Sequence, residues 1–254
     1  MRFYLIAVLI WMLIGCDQQA IFERFIPQEE AAIAKELLSR LAAKDYAAIE
    51  KQLDPSIQVP TLRSTLEQMA AAFPPGQPKG VAAVGSNTIT ENGISTYNLT
   101  FEYQYEGVWL LSNVVFQRRD GRVNVLGLHV NPMKQSLQEI NRFTLEGKGF
   151  LHYVVLALTI AVPVFIVYTL VLCVKTPIAR RKWLWVLFVA VGFVQLSLNW
   201  TDGSFRLQPI SFALLGAGFY RGGPYAPYIF NVAFPLGAIV FLARRRSLAA
   251  KCAG

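Results

Sequence analysis

From Gln28 onward apolar residues recur at helical spacing. Ile33, Leu37, Leu38 and Leu41 share one face, with charged residues between them. Lys44-Asp45 breaks the pattern, and Asp45 is placed to cap a second, short helix carrying Tyr46, Ile49 and Leu53. Asp54-Pro55 ends it, because a residue before proline disfavours the α region. A third helical stretch, 61–73, is closed by Pro74-Pro75-Gly76. From about residue 81 the period changes to two. In 94–105, Tyr97, Leu99, Phe101, Tyr103 and Tyr105 alternate with Asn98, Thr100, Glu102 and Gln104, which predicts a strand with one apolar face. Asn92-Gly93, Glu106-Gly107 and Asp120-Gly121 mark tight turns, so strands at 108–117 and 122–130 complete an antiparallel meander of about four.

Beyond residue 147 the pattern is set by long apolar runs. Residues 150–174 are mostly apolar and long enough to span a bilayer, with Pro163 as a kink. Runs at 183–200, edged by Trp183, Trp185 and Trp200, and at 226–243 are read as two more spans. Leu207 to Tyr220 is apolar but too short to cross, so it is expected to lie at the interface or to re-enter. Charge follows the same division. Residues 17–147 hold 15 acids and 12 bases, whereas 148–254 hold 11 bases and one acid, Asp202. The bases flank apolar runs and do not form a face, which favours a membrane over nucleic acid. Lys175-Arg180-Arg181-Lys182 and Arg244-Arg245-Arg246 place the C-terminus in the cytoplasm and residues 17–147 outside.

The N-terminus gives an independent indication of the same topology. Arg2 precedes the apolar run Phe3 to Leu13, and Leu13-Ile14-Gly15-Cys16 resembles a bacterial lipobox. That resemblance implies removal of residues 1–15 as a signal peptide and acylation (diacylglyceryl, palmitate) of Cys16. Asp17 stands where lipoproteins of this kind carry a signal for retention in the inner membrane. Of the three cysteines, Cys16, Cys173 and Cys252, none lies between 17 and 147, so a disulfide is not expected to hold the exported domain.

Helices followed by a meander resemble the NTF2-like (cystatin-like cone) superfamily. The residues that carry the likeness are Ala34-Lys35-Glu36-Leu37-Leu38, Lys44-Asp45-Tyr46-Ala47-Ala48-Ile49 and Leu53-Asp54-Pro55, then Arg118-Arg119-Asp120-Gly121-Arg122-Val123 and Leu126-Gly127-Leu128-His129-Val130. The resemblance covers about 28–133. It implies a curved sheet wrapped on helices, often with an apolar pocket, in a superfamily that contains both enzymes and non-catalytic members.

Chemistry-bearing motifs are sparse. His129 and His152 are the only histidines; a compact zinc pattern and a phosphate-binding glycine loop are both missing, so no metal or cofactor is expected. Tyr97, Phe101, Tyr103, Tyr105, Trp109 and His129 are the candidate lining of a ligand pocket, although half of an alternating aromatic strand is also what plain core gives. His152 is read as an interface anchor. Gln195, Ser197, Asn199 and Asn231 are read as hydrogen bonds between membrane helices.

The expected architecture is therefore α+β. A signal peptide (1–15) and a lipid-anchored linker (16–27) lead into an NTF2-like periplasmic domain (28–147). An all-α membrane domain of about three helices (148–254) follows. The expected function is non-catalytic: an inner-membrane lipoprotein binding a small apolar ligand or a partner protein. The alternatives are an accessory subunit of a larger inner-membrane assembly and an enzyme of the same fold acting on an apolar or lipid-like substrate through His129.

Overall fold

The computed structural model describes residues 26–119, 122–178 and 181–250. Cys16, Asp17 and Cys252 lie outside them. The described residues form two compact units, the first running to Ile140 and including Gly223–Tyr225, the second comprising Asn141–Gly222 and Ala226 onward.

The first unit opens with α1 (Gln28–Ala42), which carries Glu29 and Glu30 in its first turn and Arg40 in its last. Both placements suit the helix dipole. Lys44 takes a positive φ in the tight corner that follows. Asp45 caps α2 (Tyr46–Glu50) by accepting the Ala48 N–H at 3.3 Å. A single 3-10 turn, Pro55–Ile57, leads to α3 (Leu62–Ala71). Four strands follow: β1 (Gly80–Glu91), β2 (Ile94–Gln104), β3 (Trp109–Arg119) and β4 (Arg122–Met133), antiparallel in the order β1-β2-β3-β4. Bulges at Ala83/Gly85 and Val115/Phe116 break the register, and such bulges add local twist and bend. The short helix α4 (Leu137–Ile140) closes the unit, its Leu137 N–H donated to the Glu102 carboxylate at 2.5 Å.

Helices and sheet share one core. Leu37, Leu38, Leu41, Ile49 and Leu66 pack with Leu99, Phe101, Leu110, Val114, Phe116 and Val125. Each such side chain contributes about 1.5–3 kcal/mol on burial. The stretch between α2 and α3 is tied to the sheet: Asp54 N–H donates to Val125 O at 2.8 Å, and Val125 N–H to Gln52 O at 2.7 Å.

The second unit departs from expectation. It contains α5 (Phe150–Lys175), α6 (Lys182–Ala190), β5 (Val191–Asn199), β6 (Phe205–Leu214), β7 (Ala217–Arg221), β8 (Tyr228–Phe234) and α7 (Leu236–Ala250). The strands form a second antiparallel sheet in the order β6-β5-β8-β7. An all-α domain of three spans is thus overturned. Among the described residues only α5 is long and apolar enough to cross a membrane. The run 183–200 is half helix and half strand, as is 226–243, and residues 207–220 are most of β6, a turn and most of β7. The physical reason is composition. After Gly192, Gln195-Leu196-Ser197-Leu198-Asn199 alternates polar and apolar, and Phe, Val, Ile and Tyr crowd β8. Both favour a pleated, half-buried surface over a helix.

Unit two packs one face of this sheet and the two short helices on α5. Val155, Val162 and Ile166 meet Leu198, Trp200, Phe230, Val232 and Phe241 in one cluster. At Gly237 a Cβ would fall 1.8 Å from the Phe188 carbonyl oxygen, so only glycine lets α7 approach α6 this closely. The β5–β6 turn sits beside the start of α5: the His152 and Trp200 rings are 5.3 Å apart, edge to face. Trp200 Nε1–H donates to Thr144 O at 2.8 Å, and Lys148 Nζ–H to Trp200 O at 2.8 Å.

Candidate binding cleft

Strand β2 places Tyr97, Phe101 and Tyr103 on the face turned to the helices, Tyr105 follows directly after the strand, and all four belong to the core. Phe101 is fully buried, Tyr103 and Tyr105 nearly so, and Tyr97 stacks on Phe116 with ring centroids 5.4 Å apart. Phe73 meets Tyr103 edge to face at 6.3 Å. Burial pushes both the Tyr103 and Tyr105 phenols up from their ordinary value. Trp109 and His129 stand on the other face. Trp109 pairs with Gln104 and Met133, and His129 with Asn113. The structure therefore divides the six candidate lining residues between two faces of the sheet.

That outer face is polar. The Asn113 amide donates to Asn98 Oδ1 at 2.6 Å and Thr100 Oγ1 at 2.8 Å, and Gln117 Nε2–H to Thr96 Oγ1 at 3.1 Å. These cross-strand bonds fix register and leave no cluster of titratable groups around His129.

An open cleft lies where α3 meets β4, with a volume of about 520 Å³. Helix α3 contributes Thr65, Gln68, Met69 and Ala71, and its C-cap Ala72 continues the face that Thr65, Gln68 and Met69 share. Strand β4 contributes Leu128, His129, Val130 and Pro132. The walls are mainly apolar; Thr65 and Gln68 are the polar side chains from α3, and His129 borders the cleft from the outer face of the edge strand β4. Met69 also packs against the core. Of the six residues singled out from sequence, His129 alone belongs to this cleft. The α3 side was missed, although Leu62, Leu66, Met69 and Phe73 already mark α3 as amphipathic, with Thr65, Gln68 and Ala72 beside that stripe.

Three carboxylates brace the first unit away from the cleft. Arg118 bonds Glu29 at 2.7 Å and Glu30 at 3.3 Å, joining β3 to α1. Its hydrogen bond and charge hold the Glu29 carboxyl below its ordinary value. Asp54 accepts from Ser56 N at 2.8 Å and from the Asn124 amide, bonds that hold its carboxyl low as well. No group of three or more His, Cys, Asp and Glu residues suited to a metal ion occurs among the described residues.

Comparison with protein-family models, curated proteins and solved structures gives no match to this chain.

Proposed function

We propose that the chain is a membrane-anchored binding module of a bacterial inner membrane. Helix α5 crosses the bilayer, with the Cys16 lipid as a second tether. The first unit, on the periplasmic side, takes a small apolar ligand in the α3–β4 cleft. One observation carries the anchoring. Helix α5 runs 26 residues, about 39 Å, with no charged residue before Lys175. Only 22% of its most apolar window is buried. A core helix of a soluble domain buries most of its surface, and α5 leaves Ile160, Val164, Val167, Tyr168, Val171 and Val174 exposed. Lys175, Arg181 and Lys182 follow at once, which orients the helix with its C-terminal end inside.

Ligand binding rests on the cleft's size and mostly apolar lining with a few polar groups, the usual character of small-molecule sites. The test is native mass spectrometry of the full chain purified in detergent from its own host. A co-purifying small molecule lost in Gln68→Trp, which fills the cleft from an exposed position, supports the module. Retention of the same molecule by that variant removes the cleft from the account.

A further inference from the structure

The second sheet is amphipathic in a way that the anchoring role does not use. Its apolar face meets α5. Its other face carries Ser197, Asn199, Arg206, Gln208, Tyr220 and Asn231, brought into adjacent rows by the pairings Ser197 with Arg206 and Asn231, Gln195 with Gln208, and Ile229 with Asn199 and Tyr220. A cleft of about 420 Å³ opens on this face, within the roughly 300–1,000 Å³ of small-ligand sites.

Its hydrogen-bonding capacity is lopsided. Most of the amide oxygens on this face are engaged inside the sheet, and Gln208 keeps both its amide oxygen and its NH₂ group. Asn231 Oδ1 accepts from Gln195 Nε2 at 2.9 Å and from Ser197 Oγ at 2.6 Å. Gln195 Oε1 accepts from Ser211 Oγ at 3.2 Å, and Asn199 Oδ1 from Thr201 N at 3.0 Å. The donors lining the cleft are the amide NH₂ groups of Asn199 and Gln208, the Tyr220 hydroxyl and the Arg206 guanidinium. No carboxylate among the described residues pairs with Arg206. Asp202, the one acid after residue 147, is engaged by Ser204 N and Oγ at 2.9 and 2.7 Å. A recess offering amide, hydroxyl and guanidinium donors around an uncompensated cation suits an anion rich in acceptor oxygens, above all phosphate.

Depth completes the argument. The Asn199–Ser204 turn lies by His152 at the start of α5, and Gly216, at the opposite end of the sheet, lies against Val162 and Ile166. The cleft is therefore level with the end of α5 far from its basic C-terminal flank, and with the aromatic side chains Trp200, Phe143 and Tyr228. When α5 spans, this is headgroup level. Non-helical backbone beside a spanning helix is tolerated where it lines a wet recess.

We propose that the polar face of the second sheet is a phosphate-ester site that takes the headgroup of a phospholipid. The chemistry rests on the donor set, and the choice of a lipid rests on α5 spanning the bilayer. The test is native mass spectrometry of the delipidated full chain in detergent, titrated separately with phosphatidylglycerol, diacylglycerol and inorganic phosphate. Wild type should bind phosphatidylglycerol, and Arg206→Gln should bind it roughly tenfold more weakly. Arg206→Lys should fall between, because it keeps charge and loses the planar fork. Unchanged circular dichroism of the variants excludes misfolding. Preference for the lipid over inorganic phosphate supports the lipid source. Inorganic phosphate binding equally well supports the phosphate site and overturns the lipid assignment. Diacylglycerol binding as well as phosphatidylglycerol, or Arg206→Gln binding like wild type, overturns the site. Alkaline extraction of wild-type membranes reports on α5 separately, since the detergent titration does not need α5 to span.

Discussion

Both sheets are four-stranded and antiparallel, yet they meet different surroundings. The first is a simple meander whose apolar face is covered by α1, α2 and α3 and whose other face carries Asn98, Thr100, Asn113 and Gln117. The second, ordered β6-β5-β8-β7, covers only part of its apolar face. Along β6 the side chains of Phe205, Leu207, Ile210, Phe212 and Leu214 stay exposed, Ile210 by 89%. A water-facing sheet with such an edge is an aggregation hazard. Beside an exposed apolar helix like α5, these apolar side chains suit the membrane interface, where water still reaches the unpaired backbone of the β6 edge. The difference teaches that strand period fixes which residues share a face, whereas the solvent of that face is set by what packs next to it.

The sharpest way to break the comparison is to close the tight contacts of the second unit while leaving the first alone. Gly237→Ala puts a methyl group into the Phe188 carbonyl, and the expected loss is about 3 kcal/mol or more. Denaturant titration in detergent should show the second unit unfolding early and the first at its wild-type midpoint. The converse is Phe101→Ala, which empties the centre of the first core at a cost of about 3–5 kcal/mol. If both variants unfold the whole chain in one step, the two units are not separate cooperative blocks.

Smaller effects sharpen the picture of the first unit. Gln68→Trp should change its stability by no more than about 0.5 kcal/mol, as an exposed substitution, while abolishing ligand retention. Acid sensitivity should be smaller still. Glu29 and Asp54 are held below their ordinary values of 4.5 and 3.8. Their contribution is then complete above the unfolded values and is lost as pH falls through the lower folded ones. Melting of the full chain should therefore drop as pH falls below about 4.5. Arg118→Gln should flatten that drop, and an equally steep drop in the variant would remove the Glu29 pair as its cause.

Much of the first unit was legible because its surroundings on the two sides differ. Leu37, Leu38 and Leu41 against Glu36 and Arg40 announce a helix, and the alternation through Phe101 and Tyr103 announces β2, seen at Ile94–Gln104. What alternation does not reveal is whether an apolar face lines a cavity or fills a core. Phe101, Tyr103 and Tyr105 fill the core, and the open cleft formed at the α3–β4 seam. In the second unit, apolar length outweighed period. Residues 183–200 are apolar enough for a helix throughout, but Gln195, Ser197 and Asn199 interleaved with Leu196 and Leu198 carry the period of a strand. Gln195 and Ser197 pair across strands with Asn231, and Asn199 bonds Thr201 in the turn; none joins two helices. Arg206 and Tyr220 were missed because they join this face through pairings distant in sequence.

The central claim is that α5 carries the chain across a bilayer, and thiol labelling tests it most directly. Cysteines are introduced at Asn87, exposed in the first unit, and at Ser247, exposed near the end of α7, in a Cys173→Ser, Cys252→Ser background that keeps Cys16 for the lipid and serves alone as the unlabelled control. Spheroplasts are treated with a membrane-impermeant maleimide before and after lysis. The account predicts that Asn87→Cys labels in intact spheroplasts and Ser247→Cys only after lysis. Labelling of both positions from outside, or protection of both until lysis, would contradict it.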